Sequence, residues 1–190
     1  MELQKIQAEI IKNLEGWRSE NVLVVGLDGY SGIGKTTLCK SIAEGYSGVK
    51  KVNMDNFVTT ANSKECLMPQ IENKSPTLIL GWKPFDGVSK LRQVIESFRD
   101  KPTEGRVLLV EGIFLFHPAL NDLWDKRIYL DGDFKRADER RMVREKERWG
   151  DGYMSETDPD SYARLFKIAY ERYLELYQPE EMVDLVLKID

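Results

Sequence analysis

Histidine occurs once, at His117, and cysteine only twice, at Cys39 and Cys66. Two cysteines cannot build a disulfide framework, and a single histidine leaves them without the company a zinc site needs. Both read as reduced and structural. Long apolar runs are missing too: the N-terminus carries Glu2 and Glu9, and no segment approaches the roughly 20 apolar residues of a membrane span. The expectation is a cytoplasmic protein with no membrane partner. Positive charge is not in excess either. A net charge of −4 over 190 residues argues against general attraction to nucleic acid, though a local basic patch could still hold a phosphate. Repeats, low-complexity tracts and linkers are absent, so the chain reads as one domain over 1–190, an N-terminal helix over 1–19 followed by a core over 22–190.

What is present alternates between two periods. Leu3, Ile6, Ile10, Leu14 and Trp17 recur at three- and four-residue steps, one face of an opening helix that Gly16 helps to end and that packs on the domain. Residues 21–26 form a short apolar run leading into glycines, as in a central parallel strand covered on both faces. Further strands are expected at 49–54, 106–110, 126–130 and 183–189. Helices are expected at 35–44, 87–98, 134–148 and 160–177. Strands alternating with helices imply parallel βαβ units. The stretch 59–82 lacks a clear period and reads as an irregular segment near a substrate.

The first strand runs into Gly29-Tyr30-Ser31-Gly32-Ile33-Gly34-Lys35-Thr36, a complete phosphate-binding loop that opens a helix. Its glycines let successive backbone N–H groups turn inward at a helix N-terminus. Lys35 can reach β- and γ-phosphates, the Thr36 hydroxyl is placed to ligate Mg²⁺, and Thr37 can bond a further phosphate oxygen. A dinucleotide site fails on spacing, because Thr37 stands where the last glycine is required. A guanine-reading Asn-Lys-x-Asp element is also missing, since Asn73-Lys74-Ser75-Pro76 lacks the final carboxylate.

Asp55 and Glu111 follow the second and third strands, at the carboxyl edge where the loop lies. Asp55 suits a base for an acceptor hydroxyl and Glu111 a ligand for Mg²⁺, direct or through water. A cap or a salt-bridged loop acid is the alternative for each. Arg136, Arg140, Arg144 and Arg148 recur every fourth residue, with Arg141 alongside. Like charges at that spacing oppose one another unless an anion or acids join them. Either the arginines close over phosphates as a lid at about 144–157, the reading adopted, or Glu145 and Glu147 pair with them on a solvated face.

These residues together resemble the uridine kinase-like branch of P-loop kinases, which also includes nicotinamide riboside kinases, phosphoribulokinases and bacterial pantothenate kinases. Asp55-Asn56-Phe57 is similar to the family's Asp-x-Phe, Glu111-Gly112 to its Glu-Gly, and Asp131, Arg140, Arg141, Arg144, Arg148 and Gly150 to its lid. The resemblance implies a three-layer α/β fold with a five-stranded parallel sheet of order 2-3-1-4-5, helices on both faces and an arginine-rich lid. It implies ATP and Mg²⁺, Asp55 as base, and Lys35, Arg140, Arg144 and Arg148 acting on the transferred group. The expected partner is a small-molecule alcohol, nucleoside or nucleoside-like. Two departures bear on that acceptor. The connection 99–105 is too short for the nucleoside-holding hairpin, and Trp82-Lys83-Pro84-Phe85-Asp86 matches only in part, so Asp86 is a sugar ligand or a helix cap. A kinase for a sugar, vitamin or pantothenate-like alcohol is one alternative, and a non-catalytic nucleotide-binding regulator that docks through the N-terminal helix is another. His117, beside Pro118, reads as a buried or capping residue in preference to a catalytic one.

Overall fold

The computed structural model describes residues 3–18, 22–57, 85–101, 106–158 and 161–189. The irregular stretch 59–82, Cys66, the side chain of Asp86 and the connection 102–105 lie outside them. In chain order the elements are α1 (Leu3–Trp17), β1 (Leu23–Gly29), α2 (Lys35–Gly45), β2 (Val49–Asn53), α3 (Phe85–Arg99), β3 (Val107–Glu111), β4 (Lys126–Gly132), α4 (Phe134–Trp149), α5 (Tyr162–Tyr177) and β5 (Leu185–Ile189). All four strand pairings are parallel and the order is β2-β3-β1-β4-β5, as anticipated.

Burial explains the order. Every residue of β1 and β3 is buried, as central strands covered by helices on both faces must be, whereas the edge strands β2 and β5 each bury one residue and leave the rest half-buried or exposed. The opening helix places Ile6, Ile10 and Leu14 in the core and is pinned to α2 by a Ser41 hydroxyl donating to Gln7 at 2.9 Å. Its apolar face is therefore occupied by its own domain. Asp133 caps α4 by accepting from the Lys135 and Arg136 N–H groups, and Ser161 caps α5 from Arg164. His117 caps a 3-10 turn: Nδ1 accepts the Ala119 N–H at 3.1 Å, and Nε2 meets the Tyr177 hydroxyl at 3.3 Å. No described helix is long and apolar enough to cross a membrane.

Three strands differ by two or more residues from the sequence expectation, β4 by running on to Gly132. β5 starts at Leu185, because Asp184 turns its carboxylate onto the Arg127 N–H and Lys126 Nζ. β1 continues past Gly26 to Gly29, through an aspartate. Asp28 is fully buried. Its Oδ1 accepts the Gly29 N–H at 2.6 Å, and its Oδ2 accepts the Leu115 N–H at 2.9 Å and the Tyr173 hydroxyl at 2.6 Å. With those donors satisfied, the strand carries a carboxylate through the core.

Asp28→Asn keeps the shape but puts an amide N–H against a backbone N–H in either rotamer. It should cost roughly 3 kcal/mol and lower the melting temperature by about 6–12 °C. Thermal unfolding measures this, and a melting point within about 2 °C of the unmodified protein would show that the network contributes little.

Candidate functional site

At the carboxyl edge a cavity of about 580 Å³ is lined by Ser31 to Thr37, Asp55, Glu111, Arg140 and Arg144, with Leu3, Ile113 and Ile189 as apolar wall. The loop's shape follows from two glycines. Gly32 sits at φ +85°, and a Cβ there would run into the Ala137 carbonyl of α4. Gly34 caps α2 at φ +109° and brings no side chain, so the first-turn N–H groups are left for a ligand. Lys35 is only 7% exposed and folds back along the loop, its Nζ donating to the Gly29 and Tyr30 carbonyls at 2.7 and 2.8 Å.

Gly29 and Tyr30 contribute to this loop differently from the rest of the motif, since neither lines the cavity. The Tyr30 side chain turns away from it, 2% exposed, and stacks on Phe134 with ring centroids 4.7 Å apart. Its hydroxyl donates to Asp138 Oδ1 at 2.8 Å. Burial first, and then the bond to Asp138, hold the phenol well above the ordinary tyrosine range, so it remains a donor.

Parallel register explains the two acids. β3 pairs Glu111 with Leu27 on one side and with Asn53 on the other, so β2 and β3 end level while β1 runs two residues farther, to Gly29. Asp55 follows in a 3-10 turn, Met54–Phe57, with its N–H bonded to the Asn53 side chain at 2.7 Å. Glu111 is 2% exposed, and its Oε1 has no hydrogen-bond partner. Burial raises its carboxyl pKa above the usual glutamate value, and Asp55 adds to that; the Thr36 bond and the Lys35 charge oppose it. Among the described residues there is no cluster of three or more acids, histidines and cysteines built for a metal. A buried, unpartnered carboxylate oxygen beside a threonine hydroxyl does fit Mg²⁺, which keeps several waters and takes the rest of its oxygens from phosphates.

Of the arginine series, Arg140 and Arg144 line the cavity. Arg148, one turn farther along, holds its guanidinium 5.2 Å from the centre of the Trp149 ring. Arg141 points the other way: it is 4% exposed, bonded to Asp138 at 2.7 Å and set over the Phe166 ring. Among the described residues neither Glu145 nor Glu147 is in ion-pair contact with an arginine. The pairing expected of Glu145 and Glu147 is therefore not formed among the described residues, although Arg136 pairs with Asp133 at 3.7 Å. Asp28, Asp138 and the inward course of Tyr30 escaped the sequence reading. Their only trace was an acid inside an apolar run and another in a helix crowded with charge.

The comparisons bear on this arrangement. No protein-family model matches the chain. A uridine kinase of Chlamydia pneumoniae is 29% identical over 174 residues, covering 81% of this chain and 77% of its own. A uridine kinase of Ligilactobacillus salivarius (strain UCC118) is 27% identical over 185 residues, covering 83% and 82%. Among solved structures, "a Possible Uridine Kinase from Bacillus stearothermophilus" superposes with a TM-score of 0.64 over 98% of this chain and 100% of that one, at 17% identity, a likeness of fold. The chain is similar to the uridine kinases in sequence and in fold.

The burial of Glu111 has a measurable sign. Because its folded value is raised above 4.5, the stability it contributes is greatest below that pH and is lost as pH rises through the folded value. Without metal at pH 8, Glu111→Gln should therefore melt a few degrees above the unmodified protein. That lead should shrink as pH falls toward 4.5, and added Mg²⁺ with nucleotide should stabilise the unmodified protein more. Melts at both pH values test this; an equal or lower melting point at pH 8 would mean that Lys35 and Thr36 already compensate the charge.

Proposed function

We propose that the chain transfers the γ-phosphoryl group of ATP to a hydroxyl of a small molecule, with a nucleoside or nucleoside-like alcohol as the favoured acceptor. The observation that carries this is the cavity itself, which gathers the phosphate loop, Lys35, Thr36, two carboxylates and two arginines at one sheet edge. The relatives' names support the nucleoside. The short connection after α3 supports a sugar, vitamin or pantothenate-like alcohol as the alternative.

In the reaction Asp55 accepts the proton of the acceptor hydroxyl as its oxygen bonds to the γ-phosphorus, and the bond to the β–γ bridging oxygen breaks to release ADP. Thr36 and Glu111 would hold Mg²⁺, directly or through water, and bound there it would neutralise charge on the β- and γ-phosphate oxygens. The loop N–H groups and Lys35 hold the phosphates in place. Arg140 and Arg144 meet the charge on the transferring group from the lid side, and Arg148 stands one turn behind them. Because the transition state of such transfers is loose, positioning and charge are most of the protein's work.

A regulator that binds nucleotide without turnover is the reading from another class. Its docking element was the apolar face of α1, and Ile6, Ile10 and Leu14 on that face are fully buried in the core.

The first test is ATP consumption with Mg²⁺ over a panel of nucleosides, vitamin ribosides, pantothenate and sugars, with product mass determined. Acceptor-dependent ADP and a product heavier by one phosphoryl group are expected. Tight nucleotide binding with no turnover on any acceptor would favour the regulator.

On the active acceptor, Asp55→Asn should lower kcat by about 10²-fold or more with ATP affinity nearly intact. Arg144→Ala should lower kcat by roughly 10- to 100-fold. A fully active Arg144→Ala enzyme would remove the lid arginines from the mechanism.

A further inference from the structure

Tyr30 does two things at once. Its backbone carbonyl accepts from Lys35 Nζ at 2.8 Å, and its hydroxyl reaches across 108 positions of sequence to Asp138 on α4. The same carboxylate oxygen, Oδ1, also accepts from Arg141 Nη2 at 2.7 Å. The ring cannot swing, because it is stacked on Phe134 and meets Tyr170 edge-on at 4.8 Å. One residue before Asp138, the Ala137 carbonyl fills the space a side chain at Gly32 would need. The second turn of α4 is thus held to the phosphate loop at two neighbouring points. From Met142 to Gly150 the helix is exposed apart from the half-buried Glu145.

Arg140 and Arg144 leave the helix at and just beyond this clamp. The Arg144 guanidinium lies roughly 11 Å from a pivot at Asp138, counting helical rise and side-chain length, so a tilt of about 10° moves it by roughly 2 Å. A misplacement of about 1 Å at a reacting group can cost up to about 10²-fold in rate.

We propose that Tyr30 is a positioning residue. Through Asp138 and Arg141 its hydroxyl sets the angle at which α4 carries Arg140 and Arg144 over the phosphate loop, while its carbonyl holds Lys35. The cations that meet the transferring phosphoryl group are thereby placed as one unit. The kinetic half of this inference rests on the phosphotransfer reading; the mechanical half does not.

Tyr30→Phe retains the stacked ring and removes only the hydroxyl. It should lower kcat about tenfold with KM for ATP within about twofold, the signature of lost transition-state placement. Asp138→Ala should cost at least as much, and adding Tyr30→Phe to it should cost nothing more, since the two groups act through one contact. Hydrogen exchange over residues 142–157, with β,γ-imido-ATP and Mg²⁺ bound to the full chain, gives a readout independent of turnover, and Tyr30→Phe should exchange faster there. Wild-type kcat and exchange in Tyr30→Phe overturn the proposal. So does a raised KM with kcat unchanged, which would make Tyr30 a residue of loop shape, and so does an additive double variant. If the unmodified protein turns over no acceptor, the phosphotransfer reading fails by itself. Nucleotide protection of 142–157 that is lost in Tyr30→Phe would then still sustain the mechanical half, and protection left intact would overturn it.

Discussion

One buried carboxylate fixes how the parts of this site meet. A central parallel strand has no water on either face, so an acid within it is tolerated only when donors are brought to it. For Asp28 those donors come from three separate places: the Gly29 N–H at the start of the phosphate loop, the Leu115 N–H in the crossover that follows Glu111, and the Tyr173 hydroxyl of α5. Tyr173 also accepts the Phe116 N–H at 3.1 Å, which ties α5 to the crossover a second time. The loop, the strand end bearing Glu111 and the aromatic layer beneath α4 are all referenced to one group. Parallel register then brings β2 to the same edge and Asp55 with it.

The site built on this frame holds charge at a cost to the fold. Glu111 is buried with an oxygen lacking a partner, and Lys35 donates to two loop carbonyls. Both arrangements suit a ligand that brings a cation for the first and phosphate oxygens for the second. Strain and unmet polarity concentrate where function needs them, and the large apolar core elsewhere offsets them.

Much of this was legible in the sequence. The period of α1, the apolar runs of β1 and β3 and the glycine spacing of the loop each follow from local chemistry, and the sheet order followed from the family resemblance. The losses share a cause. Asp28 lay beyond the expected strand, residues 21–26, and drew no reading, because its donors lie up to 145 positions away. Tyr30 was read only as a member of the phosphate-binding loop, since nothing nearby in sequence reveals that its ring enters a cluster with Phe134, Phe166 and Tyr170. Asp138 sits in a helix so rich in charge that its contacts with Tyr30 and Arg141 leave no mark. The arginine stripe was legible in direction but not in extent: four residues add about 6 Å of helix, enough to carry Arg148 past the cavity that Arg144 still lines.

Adjacent Arg140 and Arg141 show how the helix divides its work. Successive residues on an α-helix point about 100° apart, so one faces the cavity and the other the core. Arg141 is buried against Asp138 and the Phe166 face, and an arginine so placed is costly to move because its charge would lose its partner. Arg140 and Arg144 are exposed and have no ion-pair partner among the described residues. An anion held by the loop N–H groups would relieve their mutual repulsion more effectively than solvent does. One face of α4 therefore anchors the helix while the other carries exposed positive charge toward the cavity, which suits an anionic ligand.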